Sequence, residues 1–402
     1  MAGLLDRRRG RAIVVALSVT VTVSYGVLAY ALPVLFVPMH AELGFSRTEL
    51  TVAASVSLAA AAVAGVAVGR LLDRLDPRLV MTAGSVLATL AVLGWSRVQS
   101  LAALYAVFAV LGVAMAAVTY GPAFTVVAKW IAVRRTAALT VLTVAGAFAS
   151  LIFSPLTEAL SSALGWRDAV VVLAIVLGAV TIPLHLLVLR PPPRRPPRQG
   201  EPSVPARRAL RSRGFWLLAT AFALGAFAWS ALTVNLVLIL VALGHPVAFA
   251  ALAAGVTGIS QLPGRLLYGP VRRWLGERGT LPFALGLGAL ALLVLVTDQS
   301  RAAALAFAVL FGTGAGMQTL LTASAPASMF GVASYGSVAG VLHACINGAR
   351  AAGPFALAAF AALAGGYLTA AAVVAAALLA MAAVTIVIST APPSSSSVPS
   401  GT

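Results

Sequence analysis

The sequence predicts an all-α membrane protein of twelve spanning helices arranged as two pseudo-symmetric six-helix bundles. Three observations carry this reading: the composition, a series of apolar runs of membrane-spanning length, and a recurrence of residue types at an offset near 200. Of 402 residues, 61% are hydrophobic and 9% are charged. The mean hydropathy of +1.01 lies outside the balance of a soluble domain, so lipid is the expected solvent. The net charge of +17 falls between the apolar runs and not along one polar face. Anionic lipid headgroups are therefore expected at the basic loops, and no nucleic acid is expected.

Taken in order, residues 1–11 are basic and lead into an apolar run too long for a signal-peptide core, so the start reads as a retained first helix. Runs long enough to cross lipid, which takes about 20 residues, lie near 12–38, 50–70, 79–96, 101–128, 137–160 and 168–189. Six more lie near 214–242, 248–271, 280–297, 301–328, 336–363 and 367–390, and the twelve are numbered below as spans 1 to 12. Short breaks separate them, at Asp76-Pro77, Gly165-Trp166-Arg167 and Gly244-His245-Pro246. Ser46 and Glu49 have capping-box spacing at the start of span 2. Residues 190–213, rich in proline and arginine, read as a disordered cytoplasmic linker between an N-terminal bundle (1–189) and a C-terminal bundle (214–391). Residues 392–402 read as a disordered cytoplasmic tail.

Orientation follows from the basic residues, because positively charged loops stay cytoplasmic. Residues 1–11, 70–78, 129–135, 190–213 and 265–278 hold 22 of the 27 basic residues. The alternate loops hold Arg47, Arg97, Arg167 and Arg301. Both termini, Arg74 and Arg134 are thus expected in the cytoplasm, and Arg47, Arg167 and Asp298 outside. Lys129 is the only lysine, a bias that fits a GC-rich bacterial genome, and the expected location is the bacterial cytoplasmic membrane.

The repeat pairs Gly44 with Gly244, Gly69 with Gly269, Gly112 with Gly312, Trp130 with Phe330 and, approximately, Pro155 with Pro354. Parallel six-helix repeats place a substrate site between the halves near mid-membrane. Gly65/Gly69, Gly312/Gly316 and Gly336/Gly340 have the spacing of close helix contacts. A lone Cys345 excludes an intramolecular disulfide and a cysteine-based metal cluster. No H-E-x-x-H, G-x-S-x-G or P-loop pattern is present, so neither an enzyme, a cofactor nor a metal is expected.

The segment Gly69-Arg70-Leu71-Leu72-Asp73-Arg74-Leu75-Asp76-Pro77-Arg78 resembles the signature loop between helices 2 and 3 of the major facilitator superfamily. The resemblance implies that fold. It also implies that Gly69 packs closely while Asp73, beside Arg74, caps and pairs at a cytoplasmic gate. In the second copy Arg273 stands where the aspartate would recur. Leu43-Gly44-Phe45-Ser46-Arg47, Tyr120-Gly121-Pro122, Lys129-Trp130 and Arg134-Arg135 are similar to the monocarboxylate transporter and oxalate/formate antiporter branch. That resemblance implies a substrate-carboxylate arginine at Arg265 and a second cation near Arg350. Gln261 stands where animal-type carriers have an aspartate, and span 1 carries no lysine.

An arginine inside lipid is costly and normally faces a cavity or a partner. Arg265 lies about 12 Å inside the position of Arg273 at 1.5 Å per residue, and snorkelling to the interface is its competing explanation. Arg350 sits near the centre of its span. Glu158 is the one carboxylate well inside a span, and it lies near the external end. The anion that these guanidinium groups lack is then the substrate, since arginine's planar fork suits a carboxylate. His343, Asn347 and Arg350 share one face of span 11 at i, i+4, i+7. His343 and Glu158 are proton-coupling candidates. Tyr25, Tyr30, Tyr120, Gln261, Asn235 and Gln318 are candidates for the polar lining. The expected protein is a monomeric secondary transporter moving a small mono- or dicarboxylate by alternating access, with a proton as the candidate coupling ion. The alternatives are efflux of hydrophobic compounds and a non-transporting membrane sensor.

Overall fold

The computed structural model describes residues 2–131, 134–190, 204–363 and 366–390. Residues 191–203 of the linker and the whole of the expected tail, 392–402, lie outside the described residues. Among the described residues the chain is helical, with no strand. Spans 1 to 6 are Arg8–Leu43, Thr48–Arg74, Pro77–Trp95, Leu101–Trp130, Arg135–Leu164 and Trp166–Val188. Span 7 is Arg213–Ala242, and spans 10 to 12 are Arg301–Phe330, Tyr335–Leu363 and Tyr367–Ile386. Between them one helical stretch of 51 residues, Val247–Thr297, turns at Gly276, where φ is 70° and ψ 178°. That left-handed conformation suits glycine and divides the stretch into spans 8 and 9. Eleven candidate spans thus become twelve crossings.

Local chemistry sets the ends. The Glu49 amide donates to Ser46 Oγ at 3.2 Å and the Ser46 amide donates to Glu49 Oε2 at 2.7 Å, completing the capping box that starts span 2. Pro77 opens span 3 where its missing N–H costs nothing, and Asp76 accepts from the Arg78 amide at 2.9 Å. The six-residue helix Ala206–Arg211 forms within the expected disordered linker. Ala209 is buried there, and the Val204 amide donates to the Phe330 carbonyl at 3.2 Å. This stretch orders because its few apolar side chains join the core beneath spans 7 and 10.

The internal repeat is a packing repeat. A Cβ added to Gly112 would lie 2.1 Å from the Ser57 carbonyl oxygen, and one on Gly312 would lie 2.4 Å from that of Thr257. Glycine and partner both shift by the same offset, so spans 2 and 4 cross as spans 8 and 10 do. In lipid such close backbone approach supplies the contact that hydrophobic burial supplies in water.

Two buried clusters lie within one half each. The third joins Ile13, Phe124, Trp130 and Leu139 of the first half to Phe215, Tyr268, Phe330 and Tyr335 of the second. It lies toward the end of the molecule that carries Arg74, Arg134 and Arg272, called the basic end below.

Candidate functional site

At the basic end Asp73, in the last turn of span 2, faces the start of span 11. Its Oδ1 accepts from Lys129 Nζ at 2.8 Å and from the Gly336 amide at 2.9 Å. Its Oδ2 accepts from the Ser337 amide at 2.7 Å and the Ser337 hydroxyl at 2.6 Å. The first amides of a helix lack intrahelical acceptors and carry the positive end of its dipole, which suits a carboxylate. Glycine makes the approach feasible, since a Cβ on Gly69 would lie 2.1 Å from the Gly336 carbonyl oxygen. One turn deeper, a Cβ on Gly340 would lie 2.5 Å from the Gly65 carbonyl oxygen. The two G-x-x-x-G pairs are therefore each other's partners. Arg74 is exposed just beyond them, and Arg273 of the second copy is exposed too. At that copy Arg272 makes the crossing, donating to Thr136 Oγ1 at 2.9 Å and pairing with Glu277 at 3.1 Å.

Deeper, Arg265 of span 8 is 5% exposed. Its Nη1 donates across the halves to the Thr143 carbonyl of span 5, and its Nη2 donates to Gln261 Oε1 at 3.2 Å. Its Nε has no partner among the described residues. Tyr120 Oη donates to the same Thr143 carbonyl at 3.3 Å. Tyr120 reaches it because span 4 breaks at Thr119, whose φ of −96° and ψ of −157° are extended, with Pro122 in the next turn. Gly146 leaves room for the phenol, since a Cβ there would lie 2.3 Å from its oxygen. The Tyr120 ring meets Tyr25 at 4.8 Å and stacks on Phe124 at 5.1 Å, and Phe124 lies 6.3 Å from the His343 ring. One aromatic chain thus leads from span 1 through span 4 to span 11.

Arg350 is positioned by proline. Pro354 has no N–H to give the carbonyl of residue 350, and the Ser230 hydroxyl of span 7 supplies that bond at 2.6 Å. Asn235 donates to the Ala231 carbonyl at 2.8 Å and to the Pro354 carbonyl at 3.3 Å, a second tie from span 7. Arg350 opens into a hollow among spans 7, 8, 10 and 11 with Gln261, Gln318, Thr319, Thr322, Phe222 and Trp229. Gln318 lies over Gly225, where a Cβ would fall 1.8 Å from its Nε2. The Arg350 Nε is buried without a partner among the described residues. Among the described residues neither Arg265 nor Arg350 has a carboxylate within 4 Å. Both lie within electrostatic reach of the Tyr30 and Tyr120 hydroxyls.

The shared face expected on span 11 divides. His343 and Asn347 line a separate hollow against spans 2 and 4, beside Thr119 and Gly340, while Arg350 faces spans 7, 8 and 10. His343 Nδ1 lies 2.8 Å from the Ala339 carbonyl oxygen. Glu158 is exposed and accepts from Ser162 at 3.1 Å. Sequence reasoning missed Glu42, which accepts from Trp166 and, at 2.7 Å, from Arg167. Arg167 also donates to the Ser96 and Val98 carbonyls, closing the end opposite the basic one within the first half. The turn Gly165-Trp166-Arg167 was its only visible trace. No cluster of three potential metal ligands occurs among the described residues.

Comparisons with known proteins bear on this architecture. The chain is 28% identical over 182 residues to the uncharacterized MFS-type transporter YcxA of Bacillus subtilis strain 168, covering 44% of this chain and 43% of that protein. It is 32% identical over 158 residues to an uncharacterized 38 kDa protein in the 23S RNA operon of Thermoproteus tenax, covering 39% of each. The matches thus span less than half the length of these relatives. In fold it is similar to the human organic anion transporter MFSD10 (TETRAN), with a TM-score of 0.74, 17% identity and coverage of 94% of this chain and 99% of that one. It is similar also to FucP, an E. coli fucose:proton symporter, in its outward conformation, with a TM-score of 0.73, 13% identity and coverage of 94% and 98%. The family profile of the Major Facilitator Superfamily matches residues 17–354, and the chain therefore belongs to that superfamily of multi-pass membrane transporters.

Proposed function

We propose that this transporter carries a small organic anion by alternating access, with a carboxylate group held by Arg350. The supporting observation is a guanidinium deep in the membrane-spanning region with no carboxylate within 4 Å among the described residues and an unpartnered Nε. An uncompensated cation there is costly, and a substrate carboxylate offers the planar acceptor pair that the guanidinium fork matches. Gln261 and Gln318 supply further polar contacts, and Phe222 and Trp229 face the apolar part of the substrate. The basic end is read as cytoplasmic, in a bacterial cytoplasmic membrane, with the termini on that side and the chain acting as a monomer. His343 and Glu158 remain the coupling-proton candidates, His343 being within electrostatic reach of Arg350.

A second reading, efflux of hydrophobic compounds, is favoured by the stacked pair Trp229 and Phe311, 5.6 Å apart, beside the same hollow. Exchange of labelled mono- and dicarboxylates in proteoliposomes separates the two. Carboxylate exchange supports the anion reading, and its absence alongside transport of a neutral or cationic amphiphile supports efflux. Binding without any exchange identifies a sensor.

A further inference from the structure

Spans 5 and 8 are joined by two rungs in register. Arg272 donates to Thr136 and Arg265 donates to Thr143. Each step is seven residues on both helices, which is two turns or about 10 Å. The outer rung sits at the basic end and is backed by Glu277. The inner rung is of another kind, because its acceptor is a neutral main-chain carbonyl already approached by Tyr120. Its donor is a nearly fully buried cation whose Nε is unpartnered.

We propose that Arg265 is a shared donor, held by the Thr143 carbonyl in the empty carrier and captured by the anionic substrate in the loaded one, so that anion binding releases the inner rung and promotes separation of the halves at the basic end. This rests on the organic-anion reading above and adds to it the step by which occupancy reaches the gate. The Thr143 carbonyl offers the guanidinium only a dipole, whereas a carboxylate offers a full negative charge and two oxygens that match the guanidinium fork, so a carboxylate arriving beside Arg350 outcompetes the carbonyl. Thr143 then keeps the Tyr120 hydroxyl, so its carbonyl is not left without a donor. Gln261, bonded to Arg265 and lining the Arg350 hollow, stands between the two guanidinium groups. A ligand shifts a conformational equilibrium only by binding the two states differently, and loss of the rung supplies that difference.

The test uses the full chain in lipid nanodiscs, with Cys345→Ser and spin labels on cysteines placed at the exposed positions Ala137 and Trp274. Distance distributions are recorded without ligand and with saturating acetate, benzoate or oxalate. In ligand-free protein, Arg265→Gln should raise the ratio of separated to closed molecules about tenfold, equivalent to about 1.4 kcal/mol, and added anion should produce no further shift. Arg350→Gln should weaken the anion response. If Arg265→Gln does not fold, Arg265→Lys serves: its single ammonium does not hold Thr143 and Gln261 together, so the ligand-free ratio should still rise. A ligand-free distribution unchanged from wild type in the folded variant overturns the proposal. If none of the three anions stabilises the wild-type chain, the organic-anion reading fails separately, and the ligand-free comparison still decides whether Arg265 latches the halves.

Discussion

Asp73 meets Ser337 twice through one oxygen: its Oδ2 accepts the backbone amide at 2.7 Å and the hydroxyl at 2.6 Å. The carboxylate at the end of span 2 is thereby the cap of span 11, and its other oxygen holds Lys129 of span 4. Three spans from two halves converge on one side chain. We propose that this convergence belongs to the state closed at the basic end, so that Asp73 bears on switching between states.

Asp73→Asn keeps the size of the side chain but removes its charge and one of its acceptor oxygens, leaving Lys129 without its ion-pair partner. Substrate exchange in proteoliposomes should slow by about tenfold, the equivalent of one charge-assisted bond of about 1.5 kcal/mol. Anion affinity should stay within about twofold, because the lost contacts belong to one conformational state and not to the ligand. Lost affinity with normal exchange per occupied site would assign Asp73 to the substrate instead.

Gly336 brings the same contact together with the carboxylate, since a Cβ there would lie 2.4 Å from the Gly69 carbonyl oxygen and 2.8 Å from Asp73 Oδ1. Gly336→Val should push spans 2 and 11 apart and displace the carboxylate. Alkylation of a cysteine at Ser337 in the Gly336→Val protein, compared with the same cysteine alone, should be faster by about tenfold, reflecting a loss of about 1.4 kcal/mol from the closed state. Unchanged alkylation would mean that the helices are not held by this approach.

Gly225 has a different task, leaving space for the Gln318 amide beside the Arg350 hollow. Gly225→Ala places a Cβ where Gln318 Nε2 now sits, so the amide must rotate away from the hollow. Thermal stability should fall by only a few degrees, since Gln318 is flexible and half-buried. The ranking of mono- and dicarboxylates by affinity should nonetheless change, as measured by ligand-induced stabilisation. An unaltered ranking would remove Gln318 from the lining.

Much of the fold was legible because membrane helices announce themselves by length and apolarity, and because glycine spacing survives in both repeats. Gly65/Gly69 and Gly336/Gly340 were readable as close-contact pairs. That they contact each other was not, since partners more than 260 residues apart leave no local pattern. The same limit hid Ser230 and Thr143, whose contributions are a hydroxyl and a main-chain carbonyl donated to the environment of an arginine on another helix. Helical periodicity placed His343, Asn347 and Arg350 on one face. It did not resolve that the face straddles two hollows, because that depends on how spans 4 and 10 approach span 11 from opposite sides. Order in residues 204–213 was masked by arginine and proline content, which outweighed the few apolar side chains that pack.

Orientation rests on the asymmetry of the basic loops. Single cysteines at Arg74 and Arg134 should resist a membrane-impermeant maleimide added to intact cells, and cysteines at Arg167 and Asp298 should react. Breaking the cells should reverse the protection of the first pair. Labelling of Arg74 or Arg134 positions from outside would invert the assignment of the basic end to the cytoplasm.

The most direct measurement of the central claim is carboxylate affinity in purified, monodisperse Arg350→Gln. If the substrate supplies the charge that Arg350 lacks, removing the guanidinium forfeits a charge-assisted contact of about 1.5–3 kcal/mol, and the dissociation constant should rise about tenfold or more while the protein stays folded. Arg350→Lys should recover only part of the affinity, since an ammonium keeps the charge and loses the fork. Undiminished carboxylate affinity in folded Arg350→Gln would contradict the account and put efflux of hydrophobic compounds in its place.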